Sequence, residues 1–503
     1  MGVLINSQVP GQHTQVTLLS YSLVVLVLFS ILRQVLLFWT SKIRHIPGPF
    51  WATISSFWLV SQCRKTRRSE AVMEQHDRYG KFVRIAPNHV SINDPAAVTQ
   101  IYGHKTGFMK SEFYDAFVQV RPVLFNVRDG AMHTKKKKYM KSAFSARALT
   151  DFEPYMNIEL LAWKRQLLRL HEEAGGHVDF VLWTNYLAFD VIGSFSFGRP
   201  FGFIEKGNDP YNLIHTIDMR GETLNALGSL TPWLRPLMKY YFLDPFWPSG
   251  LRATANLEKI GREAFLRRKQ SAEDRCDLLS YLFAAADEKN EDPIDENEII
   301  AESISFIVGG SDTTSSTMSN FIDMVSRNPA IQSQLQQELD ETFPGQQADD
   351  WVPEEREVSK LRYLIAVLRE VMRLRPTSAT GLERVTPSGG KSVAGKFIPE
   401  NTIVSVPTCG VMMNPRIFDH PTEFMPDRWL GKDSSNLVDN FFPFSTGPRA
   451  CIGRNFAWME ILKVMALLFK LFDVERLNDK PTVIREGFFN KAAECEVKIR
   501  RRQ

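Results

Sequence analysis

Cysteine is scarce in this sequence. Cys63, Cys276, Cys409, Cys451 and Cys495 are scattered over 503 positions, odd in number and without a C-x-x-C pair. That pattern argues against a disulfide framework or a structural zinc site, and it suits a reducing compartment. Net charge is equally meagre: 61 Lys and Arg against 57 Asp and Glu leave a formal +4, too little over this length to argue for nucleic acid as a partner. Internal repeats, low-complexity linkers and a convincing dinucleotide-binding glycine loop are missing, so everything after the N-terminal region reads as one domain that does not itself bind NADPH. No Lys or Arg precedes Arg33, so the basic start of a cleaved signal peptide is absent too.

Apolar residues, by contrast, are plentiful. The chain is 44% hydrophobic and 11% aromatic, with 35 Phe, enough for a large core. Residues 16–39 form an apolar run with Arg33 and Gln34 near its end. About 20 such residues span a bilayer, and a near-terminal arginine can reach the interface. Lys42 and Arg44 follow the run, so the positive-inside rule puts the rest of the chain in the cytosol. Residues 1–45 are therefore predicted to be an N-terminal membrane anchor with one transmembrane helix at about 16–39, and residues 46–503 a catalytic domain. "IPGPF" at 46–50 reads as a stiff spacer between them. Within the domain, residues 81–94 alternate like a β-hairpin, 152–174 have helical periodicity and 395–408 are strand-like, which predicts a mainly α fold with small β-sheets.

One predicted helix is unusual. It opens with Asp295 as N-cap and Glu298 three residues on, the pattern of a capping box, and Asn328–Pro329 stops it. At ~1.5 Å per residue it would run nearly 50 Å, across the whole domain. Its centre nevertheless holds Gly309 and Gly310, each costing about 1 kcal/mol against alanine, and then a run of hydroxyls around Asp312 that can bond back and bend the axis. Close helix packing is one explanation. Room for a ligand, with Asp312 and Thr313 managing protons, is the other.

The segment "FSTGPRACIG" at 444–453 poses a sharper question. Cys451 sits among Arg449, the turn-making Gly447–Pro448 pair and Gly453, with a helix predicted from about Asn455. Positive charge and backbone N–H groups lower a thiol's pKa and suit it to be a nucleophile or a metal ligand. A nucleophilic cysteine wants a histidine base, yet no histidine follows His420. A buried inert thiol and a haem-iron ligand are the readings left by these residues alone.

The segment resembles the haem-binding loop of the cytochrome P-450 superfamily, F-x-x-G-x-R-x-C-x-G, at every fixed position. Three further motifs agree in order: "GGSDTT" at 309–314, "REVMRLRP" at 369–376 with Glu370 and Arg373, and "FMPDRW" at 424–429 with Arg428. The resemblance covers essentially the whole chain. It implies a cytochrome P-450 fold holding haem b, with Cys451 as axial ligand of the iron and Phe444 beside it. It also implies a structural triad of Glu370, Arg373 and Arg428, and proton delivery by Asp312 and Thr313. Residues 132–145 resemble the family's helix that contacts the haem propionates, where His133 and Lys137 stand at the pair of positions; lysine there replaces the usual arginine, a point charge in place of a fork. Arg384 and Arg449 complete the implied propionate set. Lys135, Lys136, Lys138 and Lys141 are expected on a solvated face, which in this family receives the reductase.

The function so implied is a monooxygenase that uses O₂ and electrons from NADPH, delivered by a separate flavoprotein reductase at the endoplasmic reticulum membrane. A haem-thiolate isomerase or dehydratase and a haem sensor are the rivals; the Asp312–Thr313 pair speaks against both. Residues 111–130 are similar to fungal benzoate para-hydroxylases. Phe113, Tyr114, Phe117 and Phe125 cluster there and suit a flat aromatic ring, with Arg121 as a candidate partner for its carboxylate or phenolate. A small aromatic or phenol-bearing substrate is expected, in aromatic catabolism or secondary metabolism. Oxidative ring rearrangement of a polyketide–amino-acid hybrid is the alternative.

Overall fold

Apolar side chains that recur every three to four residues need a helix to share one face, and through most of the chain they have one. The computed structural model describes residues 41–502 apart from 242, 272–274, 276, 288–292 and 432–433, together with Tyr21, Val25, Leu32, Leu36, Trp39 and Thr40. Tyr21, Val25, Leu32, Leu36 and Trp39 aside, the predicted membrane span at 16–39 lies outside the described residues, as does Cys276. Eight helices organise the site: α1 (Gly130–Met140), α2 (Ala146–Glu173), α3 (Phe180–Phe197), α4 (Leu213–Ser229), α5 (Phe246–Gln270), α6 (Glu296–Ser326), α7 (Arg362–Leu374) and α8 (Arg454–Leu471).

Helix α6 runs through the middle, packed by α3, α5, α7 and α8. Its 31 residues make it about 46 Å long. Asp295 caps it by accepting from the Glu298 N–H at 2.8 Å. The expected capping box is only half made: the Glu298 carboxylate instead accepts from Lys136 Nζ at 2.7 Å and Tyr139 Oη at 2.6 Å on α1. Two charge-assisted contacts to a neighbouring helix outcompete one backbone N–H. Among the described residues α3 alone is long and apolar enough to cross a membrane, but it is almost wholly buried in protein, so its apolarity belongs to the core.

The two glycines at the waist of α6 do different things. A Cβ on Gly310 would lie 2.4 Å from Ile192 Cδ1, so close packing against α3 requires glycine there. A Cβ on Gly309 would meet nothing within 4 Å, because that position opens onto interior space.

The predicted hairpin is present as β1 (Phe82–Ala86) antiparallel to β2 (His89–Ile92). It continues into a five-stranded sheet with β3 (Met109–Lys110), β4 (Arg384–Val385) and β5 (Ile403–Ser405), in the order β1-β2-β5-β4-β3. Register places Lys110 on β3 opposite Arg384 on β4. The strand-like stretch at 395–408 is split: Lys396–Ile398 pairs with Lys391–Val393 in a separate hairpin, and only β5 joins the main sheet. The "IPGPF" segment is no free-standing spacer. Pro47 accepts from the Arg84 N–H at 2.7 Å, and Gly48 lies so close to the Arg84 carbonyl that a Cβ would clash at 2.1 Å. A further hairpin, Ile484–Glu486 with Asn490–Ala492, carries Phe488 and Phe489 at its tip against α6.

Candidate functional site

The cysteine loop is built by constraint. Gly447 has φ +73°, and a Cβ there would sit 2.0 Å from the Tyr102 carbonyl oxygen, so no side chain fits. The turn Gly447–Arg449 then brings the Cys451 N–H to the Phe444 carbonyl at 3.0 Å, and α8 begins at Arg454. Burial pushes the Cys451 thiol up, while the Gly453 and Arg454 N–H groups and the Arg454 charge pull it down. Cys451 has free surface although it lies deep in the protein, because that surface faces a cavity of about 280 Å³.

The cavity wall opposite the loop is the waist of α6, with Gly309, Gly310 and Thr313; Phe444, Ile452 and Phe456 supply apolar lining. It is also lined by Lys110, His133, Lys137, Arg384 and Arg449. Among the described residues none of the four cations Lys110, Lys137, Arg384 and Arg449 has an ion-pair partner; carbonyls and a phenol are what they reach. Arg449 donates to the Val127 carbonyl at 2.6 Å and to the Arg128 carbonyl at 3.0 Å. Arg384 donates to the Glu383 carbonyl at 2.9 Å and to Tyr114 Oη at 3.3 Å. Lys137 donates to the Pro448 carbonyl at 2.9 Å, so the lysine that replaces the family's arginine still grips the cysteine loop. Lys110 donates to the Phe125 carbonyl and sits 4.3 Å over the Tyr114 ring.

Burial and repulsion shift Lys110, Arg449 and His133. Burial, then Arg384 and Arg449, hold Lys110 well below the usual ammonium value. Burial and Arg384 lower Arg449 to about 10. Burial, then Arg449, Lys110, Lys137 and Arg384, push His133 down to about 3, so it is neutral at physiological pH. Cations buried together without a counter-ion are costly unless an anion joins them. A thiol at an N-terminal helix turn, an apolar slot and an uncompensated cation cluster fit a flat apolar macrocycle with two carboxylates. The residues present therefore fit haem.

Several sequence expectations need correction here. Lys136 is not on a solvated face: it is 2% exposed and ion-paired with Glu298 at 2.7 Å and Glu302 at 3.1 Å. Lys138 and Lys141 are exposed as expected. The aromatic group at 113–125 divides. Phe113 packs into a core cluster with Leu224 and Trp247, Tyr114 faces the cation cluster, and Phe117 and Phe125 line a second cavity. Arg121 is 53% exposed and paired with Asp295 at 3.1 Å, so it is a surface ion pair and no buried anion partner. Lys110 escaped the sequence reading altogether; it neighbours Arg384 only through strand register.

That second cavity, about 210 Å³, shares Phe125, Ser305, Gly309, Phe488 and Phe489 with the first. Asp312 faces this one and Thr313 the other, so adjacent residues of α6 serve adjoining spaces. Burial raises the Asp312 carboxyl to about 6, against the pull of Lys491, whose ammonium donates to it at 2.6 Å. Lys491 also donates to Asp218, which is part-exposed. Burial pulls Lys491 down, but the two carboxylates outweigh it and hold the ammonium above its usual value. The Thr313 hydroxyl donates to the Gly309 carbonyl at 2.8 Å, the back-bonding foreseen for this waist.

Behind the cysteine loop, Glu370, Arg373 and Arg428 do come together. Arg373 forks onto Glu370 at 2.8 and 2.9 Å, and Arg428 Nε and Trp429 Nε1 donate to the same carboxylate at 3.1 and 2.9 Å. Both guanidiniums spend their other N–H groups on carbonyls, among them Pro421 for Arg373 and His420 for Arg428. With Glu370 and Arg373 fully buried and every charge partnered, this is scaffold.

The family model described as cytochrome P-450 matches residues 45–499. A benzoate 4-monooxygenase of Aspergillus niger is 37% identical over 493 residues, covering 92% of this chain and 94% of that protein. Cytochrome P-450 monooxygenases of Penicillium roqueforti and Fusarium pseudograminearum are 31% and 30% identical, covering 86% and 94% of this chain and 89% and 85% of theirs. The chain belongs to the cytochrome P-450 family and is a monooxygenase, mainly helical with small sheets.

Proposed function

We propose that this monooxygenase oxidises a small aromatic or phenol-bearing substrate on haem b held by Cys451. The observation that carries it is the pair of adjoining cavities: one joins thiol and cations, the other is walled by Phe117, Phe125, Phe488 and Phe489, and phenylalanines form their shared border. The likeness to a benzoate 4-monooxygenase supports an aromatic ring as occupant. Bound haem supplies O₂ activation. The chain's own residues do the rest. Arg384, Arg449, Lys137 and Lys110 would hold the haem's carboxylates, and Phe444 would lie beside the thiolate loop. Asp312, linked through Lys491 to the part-exposed Asp218, holds a proton store beside the waist of α6, and the neighbouring Thr313 hydroxyl is the one that faces the cysteine-side space.

Electrons come from NADPH through a separate flavoprotein reductase, for which the exposed Lys138 and Lys141 offer a basic landing. Attachment to the endoplasmic reticulum membrane through residues 1–45 belongs to the same reading. Phe50, Trp51 and Phe57 are exposed beside Trp233, Leu237 and Leu243, segments tied by an Arg64–Asp244 ion pair at 2.7 Å, which suits an apolar surface next to the anchor. Deleting residues 1–41 should yield a haem-binding domain that carbonate strips from membranes; a domain that resists carbonate would carry a strong insertion surface of its own. For the chemistry, a panel of aromatic acids, phenols, sterols and fatty acids is titrated against the Soret band, with product analysis in the presence of reductase. Aromatic ligands should displace water from the iron and be hydroxylated, and Cys451→Ser should lose the thiolate-type band of the reduced carbonyl complex with all turnover. Preference for sterols overturns the substrate; a retained band overturns the ligand.

A further inference from the structure

The second cavity holds a cation that the mechanism does not use. Arg220, on α4, lines it and is only 8% exposed. Among the described residues its guanidinium makes no hydrogen bond and has no carboxylate within ion-pair distance, and its Nε is buried without a partner. Burial lowers it to about 10, with Asp312 opposing, so it is charged at neutral pH. Leaving an arginine buried and unpaired is costly, and an arginine fork is shaped for a carboxylate.

The other cations of this cavity are already engaged. Lys491 bridges Asp218 and Asp312, Arg485 pairs with Glu222 at 2.6 Å, and Arg121 pairs with Asp295 at the exposed rim. Asp218 and Asp312 share the cavity with Arg220, so their field disfavours a dianion such as a phosphate and leaves room for one negative charge. The remaining walls are aromatic and aliphatic, and they lead past Phe125, Phe488 and Phe489 to the cysteine-side cavity.

We infer that Arg220 anchors the carboxylate of a monoanionic aromatic acid whose ring lies among Phe125, Phe488 and Phe489. This deepens the aromatic-substrate reading and rests on it. It makes Arg220 a specificity residue: the charged end is fixed in one cavity, so the ring edge opposite the carboxylate is the part presented to the other.

The test uses holoenzyme titrated with sodium benzoate and with its neutral methyl ester, read by the Soret shift and independently by calorimetry. Wild type should prefer the acid. Arg220→Gln should weaken benzoate by ~10-fold or more, the ratio that a lost charge-assisted hydrogen bond commands, and leave the ester within ~2-fold. Arg220→Lys, which keeps charge but not the fork, should weaken benzoate less. A wild type that binds acid and ester equally overturns the inference without any variant, and so do equal losses for both ligands or a selective loss in Arg121→Leu. Binding of neither ligand to wild type would instead overturn the aromatic-substrate reading itself, and this inference with it.

Discussion

The molecule holds two charge clusters, one at Glu370 and one lining the cysteine-side cavity, and their contrast separates scaffold from site. Around Glu370 each charge has an opposite charge, and spare N–H groups end on carbonyls. Around Arg384 and Arg449 the charges are of one sign, and among the described residues their hydrogen bonds go to carbonyls and a phenol. The first cluster is complete and needs nothing. The second is complete only with an anion from outside the chain. Arg220 repeats the second pattern in miniature.

The contrast can be broken at its complete side first. Glu370→Ala leaves Arg373 charged in a fully buried position, and removing one partner of a buried pair costs about 3–5 kcal/mol. The expected outcome is little or no folded haem protein on expression; a variant with near-normal thermal stability would show that the cluster is not scaffold. At the incomplete side the sign reverses for the protein without haem. Arg384→Leu should bind haem more weakly, by ~10-fold or more, while the haem-free protein melts no lower than wild type, because a repulsive charge has gone. Equal destabilisation with and without haem would make Arg384 another scaffold residue.

A third substitution probes proton delivery between the two cavities. Thr313→Ala should keep haem content close to normal and keep NADPH oxidation running, with hydrogen peroxide replacing much of the product. Tightly coupled turnover in that variant removes Thr313 from the relay. The smallest effect is expected at Glu460 on α8, which is fully buried with neither carboxylate oxygen partnered among the described residues. Burial alone raises it well above the usual carboxylate value. Its folded pKa exceeds its unfolded one, so its contribution to stability is present below about pH 4.5 and is lost as pH rises toward the folded value. Glu460→Gln cannot ionise, so the fall in melting temperature from pH 5 to pH 8 should be shallower than in wild type. Parallel curves would mean that Glu460 has a partner.

The sequence by itself determined what short-range chemistry can carry. The glycine in the cysteine turn, the i,i+3 pair of Glu370 and Arg373 and the N-cap at Asp295 follow from steric and hydrogen-bonding rules acting within a few residues, and each was legible before the fold was known. The long helix with a weak waist was legible too, but not which glycine served packing and which served space. That depended on Ile192 lying against Gly310 and on open space, among the described residues, where a Cβ on Gly309 would point. Only the tertiary structure decided where charges without local partners end up. It placed Lys110 beside Arg384 through strand register, buried Lys136 between two glutamates and left Arg121 at the surface. It also brought Lys491 from a distant hairpin onto Asp312 while leaving Arg220 unpaired among the described residues. The physical reason is reach: a turn or a cap is settled by neighbours in sequence, whereas the cost of a buried charge depends on every group that the whole fold brings within a few ångströms.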